Sequence, residues 1–204
     1  MKKPFDNYPD MAYLAPVLEE AVEAAFRCVS AGGKIMVCGS GGSAADSEHI
    51  AGELLKGFLK KRPVGPALRS RLEEAGAGAL ADRLQLGIPC ISLVSHSALL
   101  TAVINDNGAD MMFAQQVCAF GREGDMLIAI STSGNAENAA NAAICANAMG
   151  ITTLGMTGKG GGRLGKLCRL LLAVPSRQTY RVQEYHIALY HYFCGALEEK
   201  MFEE

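Results

Sequence analysis

The sequence has no run of about 18 uncharged apolar residues, so no membrane-spanning helix is expected. Its first residues, Met1-Lys2-Lys3-Pro4-Phe5-Asp6, lack the apolar core of a secretory leader. CxxC pairs are missing too: Cys28, Cys38, Cys90, Cys118, Cys145, Cys168 and Cys194 are scattered, mostly through apolar stretches. That spacing argues against a disulfide framework and reads as small buried hydrophobes in a reduced, cytoplasmic compartment. Basic surplus is absent as well. A formal net charge of -2 gives no electrostatic reason to expect nucleic acid or another polyanion as the main ligand. A local anion site stays open, because a few backbone amides need no net positive charge.

What is present is ordinary globular composition. Of 204 residues, 50% are hydrophobic and 20% charged, enough for one domain that buries most of its apolar surface without staples. Tyr8 to Ser30 has apolar residues three and four apart and reads as a helix that Ala31-Gly32-Gly33 breaks. Lys34 to Cys38 is a short apolar strand that enters Gly39-Ser40-Gly41-Gly42-Ser43, and a helix follows to about Lys60. Further strands are expected at Ile88–Val94, Asp125–Ile130, Ile151–Met156 and Leu170–Val174, with helices between them and a long closing helix over Gln183–Phe202. This alternation predicts an α/β fold with a mostly parallel sheet covered on both faces. Ligands of such sheets sit at the carboxyl ends of the strands, where both polar glycine turns fall. Pro63 to Gly87 fits less well. It is helix-compatible but interrupted by Gly76 and Gly78, as a lid or an added helical hairpin would be.

Two turns suit an anion. In Gly39–Ser43 the missing side chains let backbone approach a ligand, and in Ser131-Thr132-Ser133-Gly134-Asn135 three hydroxyls stand beside a helix start. Either turn alone is equally well an ordinary helix cap. Neither is a Walker loop or a dinucleotide fingerprint, so the ligand they suit is small. Two helices carry the titratable groups. His49 and Glu53 lie four apart, on one helical face. Gln183-Glu184-Tyr185-His186 is followed by His191, and Gln183 and His191, eight apart, differ in direction by about 80°. The plain alternative for both groups is the solvated side of a helix. His, Glu, Gln and His together would suit zinc or another divalent metal, although carboxamide ligation is uncommon.

Taken together these residues resemble the sugar-isomerase (SIS) family, and within it the phosphoheptose isomerases. The resemblance runs from about Leu14 to Leu197. It rests on Cys38-Gly-Ser-Gly-Gly-Ser43, His49-Ile-Ala-Gly-Glu53, Asn105-Asp106, Gly121-Arg-Glu-Gly-Asp125, Ile130-Ser-Thr-Ser-Gly-Asn135, Thr157-Gly-Lys-Gly-Gly-Gly162 and Val182-Gln-Glu-Tyr-His186 with His191. It implies one SIS domain over residues 1–204: a three-layer α-β-α sandwich on a five-stranded parallel sheet, with an N-terminal helix over 8–30 and an inserted helical segment over 63–87. It also implies a homotetramer with active sites shared across subunit interfaces. The implied reaction converts sedoheptulose 7-phosphate to D-glycero-D-manno-heptose 7-phosphate. Residue by residue, Glu53 takes the place of the general base and His191 that of the acid. His49, Glu53, Gln183 and His191 take the zinc positions. Ser43, Asp106, Ser131, Thr132, Ser133 and Gln183 fall at substrate-contacting positions. A related SIS protein is a non-enzymatic scaffold for the replication initiator DnaA. It keeps the serine loop and the Gln-Glu-x-His segment but not the acid–base pair, and both members of that pair are present here. Three departures stand out: Ser40 for the family's usual asparagine, Ala136 where a serine often completes the phosphate loop, and a 63–87 segment about two dozen residues longer than usual.

Overall fold

A computed structural model describes residues 4–202 of the chain. Proline shapes the entry. The helix expected over 8–30 is α-helical only as α1 (Ala15–Ser30), preceded by a 3-10 turn over Pro9–Leu14. Pro16 has no N–H to donate back into that turn, so the regular ladder starts beside it rather than before it.

Among the described residues five short strands follow in sequence: β1 (Ile35–Cys38), β2 (Cys90–Ser92), β3 (Met126–Ser131), β4 (Thr152–Thr157) and β5 (Leu170–Ala173). They form one sheet in the order β2-β1-β3-β4-β5, every neighbouring pair parallel. Parallel strands covered on both faces carry continuous apolar runs, and β1 and β3 are buried at every position. Alternate residues serve two cores. Ile35, Val37, Met126, Ile128 and Ile130 face a layer made by α1, by α2 (Gly42–Leu55) and by the last helix. Met36, Cys38, Leu127 and Ala129 face the opposite layer, which the helix after β3 closes with Ala139, Ala140, Ala142, Ala143 and Ala146. The three-layer α-β-α fold expected from the alternation is the one observed. All seven cysteines stand unpaired. No helix among the described residues is long and apolar enough to cross a membrane.

The 63–87 segment holds two short helices, α3 (Pro66–Glu74) and α4 (Gly78–Ala81), closed at the neck by an antiparallel bridge between Pro63 and Gln85. Next come α5 (Ser97–Asp106), α6 (Ala114–Phe120), α7 (Glu137–Ala148), α8 (Leu164–Leu167) and α9 (Thr179–Met201).

One boundary differs from the sequence expectation. α2 ends at Leu55, not near Lys60. Buried Arg62 donates to the carbonyls of Leu54 (2.7 Å) and Glu53 (3.4 Å), groups that continued helix would have used. Buried Glu198 of α9 collects the N–H groups of Phe58, Leu59 and Lys60. Arg62 and Glu198 pair with each other at 2.7 Å. The helix stops because two tertiary side chains take over its terminal hydrogen bonds.

Candidate active site

The strand order fixes where a ligand sits. The chain builds β1, steps outward to β2, then returns to the other side of β1 for β3, which makes the gap between β1 and β3 the point of reversal. The turns that leave those two strands are Gly39–Ser43 and Ser131–Asn135. They are tied together, since Asn138 of α7 donates to the Ser40 hydroxyl at 3.1 Å. A serine at position 40 therefore still serves as a polar link across the mouth of the site.

In the serine loop two of the three hydroxyls accept a backbone N–H: Ser131 from Ala136 (3.3 Å) and Ser133 from Asn135 (3.1 Å). A hydroxyl that accepts in this way keeps its own proton to donate, which is what an anion requires. Gly134 lies at φ +70, and a Cβ there would come within 2.1 Å of the Gly161 carbonyl, so the loop closes against the β4 turn only with glycine. Beside it is a cleft of about 390 Å³ lined by Thr132, Ser133, Asn135, Lys159 and Arg177. Lys159 lies in the Thr157–Gly162 stretch without a role assigned from the sequence, and Arg177 was not singled out at all. They come from the loops after β4 and β5, and the Lys159 N–H donates to the Ser176 carbonyl at 2.7 Å, which brings the two loops together. A larger cavity of about 450 Å³, lined by Arg27, Thr152 and Arg169 among others, lies at the amino-terminal edge of the sheet. The strand ends that carry the polar turns are at the other edge, and that is where we place the site.

The titratable cluster forms where α2 crosses α9. His49 Nε2 lies 3.1 Å from Glu53 Oε1 and 3.5 Å from His191 Nε2. Glu53 and His191 thus meet through a single atom, within two hydrogen-bond lengths of each other. On its other side the His49 ring touches Tyr190, whose hydroxyl is 2.9 Å from Nδ1. Burial, and next the neighbouring His49, hold His191 below the ordinary imidazole value, against an opposing pull from Glu53. At neutral pH His191 is therefore an uncharged ring that can pass a hydrogen bond in either direction.

The remaining candidates are placed differently. Ser43 is buried in the first turn of α2. Gln183 packs against Gly42, where an added Cβ would lie 2.1 Å from its amide nitrogen. That contact is seven residues before His49, about 10 Å along the helix axis. Gln183 thus stands at the turn end of the site, apart from the three clustered groups. Asp106 ends α5, is exposed, and accepts from Asn105 at 2.7 Å. His186 is fully buried and shares its Nε2 with the Thr157 carbonyl, so it belongs to the core and not to the site.

His49, Glu53 and His191 are donors of the kind a divalent cation takes. Their separations of 3.1 and 3.5 Å are close to the roughly 3.3 Å between neighbouring ligands of a tetrahedral zinc with bonds of about 2.0–2.1 Å. In the present rotamers the donors face one another directly, and among the described residues no three such side chains close around one point. The residues fit such an ion in donor chemistry and in these two separations, and their side chains would have to turn to open the centre.

The SIS domain family matches residues 11–86 and 73–158 of the chain. Phosphoheptose isomerase of Rhodospirillum rubrum is 40% identical over 92% of this chain and 87% of its own length. That of Nitratidesulfovibrio vulgaris is 41% identical over 92% of this chain and 78% of its own. Solved phosphoheptose isomerases agree in shape. The Neisseria gonorrhoeae structure has a TM-score of 0.75 at 32% identity, covering 91% of this chain and 87% of that one. The Francisella tularensis structure has 0.76 at 30%, covering 90% and 86%. The chain belongs to the SIS domain family and, within it, to the phosphoheptose isomerases.

Proposed function

We propose that the chain interconverts a ketose phosphate and an aldose phosphate, with sedoheptulose 7-phosphate and D-glycero-D-manno-heptose 7-phosphate as the pair. The observation that carries this reading is the convergence of Glu53 and His191 on His49, on the helix that starts from the β1 glycine turn. Isomerisation moves one proton between adjacent carbons through a cis-enediol(ate), which needs a base at carbon and a group serving the two oxygens. Glu53 is the base in this scheme. His191, neutral at working pH, exchanges the oxygen proton. Ser131, Thr132 and Ser133 donate to the phosphate, with Lys159 and Arg177 supplying countercharge from the cleft wall. The phosphate contacts hold the substrate in the site, in ground state and transition state alike. A divalent cation held by His49, Glu53 and His191 would polarise the carbonyl and steady the enediolate oxygens.

The working assembly in this reading is a cytoplasmic homotetramer with shared sites. Two observations support it: the unpaired cysteines, and Asp106, a family substrate position that is exposed and outside the cluster. The test is incubation of the purified protein with sedoheptulose 7-phosphate, with and without zinc, following the aldose by NMR. Turnover should appear in the wild type and fall by about 10²-fold or more in Glu53→Gln and His191→Ala. No turnover with any ketose phosphate, together with capture of DnaA, would replace the enzyme by the scaffold.

A further inference from the structure

Behind His49 lies a second carboxylate that the proposed reaction does not use. Asp46 sits one turn earlier on α2 and is only 7% exposed. Its Oδ2 has no hydrogen-bond partner among the described residues, and its Oδ1 accepts from the Tyr190 hydroxyl at 3.4 Å. Tyr190, 2% exposed, presents the same oxygen to His49 Nδ1 at 2.9 Å. Its ring is locked edge-on against both histidines, with centroids 5.3 Å from His49 and 5.0 Å from His191. A carboxylate, a phenol and an imidazole thus stand in line, ending at the Nε2 that faces Glu53 and His191.

One hydroxyl has one proton to give. If Tyr190 gives it to Asp46, its oxygen accepts from His49 Nδ1–H, and Nε2 is left with a bare lone pair. If Tyr190 gives it to Nδ1, Nε2 carries the hydrogen and spends it on Glu53. Asp46 and Glu53 therefore compete for the tautomer of one ring. A buried carboxylate with a single donor holds that donor strongly, because losing it leaves the charge with no partner at all. We propose that Asp46 is a positioning residue that acts through Tyr190 to hold His49 in the Nδ1–H form, so that the Nε2 lone pair faces Glu53 and His191. In that form His49 is a ligand for a divalent cation and leaves the Glu53 carboxylate free. Outer partners that fix a ligating ring in this way commonly contribute 10- to 100-fold in metal affinity.

The consequence for turnover rests on the isomerase reading, but the tautomer is measured without turnover. Ring-15N-labelled protein would be examined at pH 8 by long-range 1H–15N correlation, with His49 assigned from His49→Gln. Zinc affinity would be measured on the same samples by titration with zinc chloride. The wild type should show His49 mainly as Nδ1–H. Asp46→Asn and Tyr190→Phe should shift it towards Nε2–H and weaken zinc binding about 10- to 100-fold. The two variants approach the relay from different helices, so a folding failure in one leaves the other to decide. An unchanged ring pattern in the folded variants, or unchanged zinc affinity, overturns the proposal, whether or not the wild type isomerises any sugar.

Discussion

Glu53 and Lys159 illustrate two kinds of residue that the site combines, and they predict different kinetic signatures. Glu53 acts only while a proton is in flight, so Glu53→Gln should lower kcat by about 10²–10⁴-fold. Lys159 and Arg177 flank the phosphate-side cleft and meet ground state and transition state alike. Lys159→Met and Arg177→Met should therefore raise KM while leaving kcat nearly unchanged, as removal of uniform binding does. Steady-state kinetics with the sugar phosphate separates the two patterns, and a kcat defect without a KM change would remove the cations from the phosphate site. The sequence made His49, Glu53 and His191 legible because four- and eight-residue helical spacings project onto definable faces. The pairing of Lys159 with Arg177 was not legible, since they meet through loops after different strands and share no local pattern. Asp46 and Tyr190 were hidden for another reason. Both are buried, and only the crossing of α2 with α9 brings them together beside His49.

At the scale of elements, the end of α2 is a tertiary construction. Helix periodicity ran past Leu55 in the sequence because nothing between Leu55 and Lys60 breaks a helix except Gly57. What ends it is the pair Arg62 and Glu198, from residues far apart in the chain. Burial by itself would raise the Glu198 carboxyl, but the N–H groups of Phe58 and Leu59, with the Arg62 guanidinium, outweigh it and hold the group below the ordinary carboxylate range. Truncating one side leaves a buried charge uncompensated. Glu198→Ala should cost about 3–5 kcal/mol, read as a fall in urea midpoint. The Arg62 carbonyl contacts also fix the turn that carries Glu53, so kcat should fall in the same variant under conditions where it remains folded. Full activity in a folded Glu198→Ala protein would show that this anchor stabilises the chain without positioning the base.

For the whole molecule, alternation of strand and helix was enough to predict a parallel sheet with two covered faces, because apolar runs on every strand leave no wet face. Strand order was not readable, since β2 pairs with β1 while β3 returns to the other side, and pairing depends on crossover paths that no local pattern encodes. His186 shows how such packing makes a histidine structural. It looked like part of the α9 site group, but α9 crosses the sheet so that this ring meets the Thr157 carbonyl at the end of β4. Burial drives its pKa down to about 4, the Thr157 hydrogen bond opposing. An unfolded histidine titrates near 6.5, so between about pH 6.5 and 4 the unfolded chain takes up a proton that the folded chain refuses. Stability is thus unaffected above that window and falls through it as pH drops, by roughly 3 kcal/mol in all. Asp46, raised to about 6 mainly by burial, works in the opposite direction, so the wild-type curve alone mixes the two. His186→Gln keeps a donor for Thr157 and removes the titration. The difference in urea-unfolding free energy between pH 7 and pH 4.5 should then shrink by about 2 kcal/mol relative to wild type. An equal difference in both proteins would mean that His186 accepts its proton without leaving the fold.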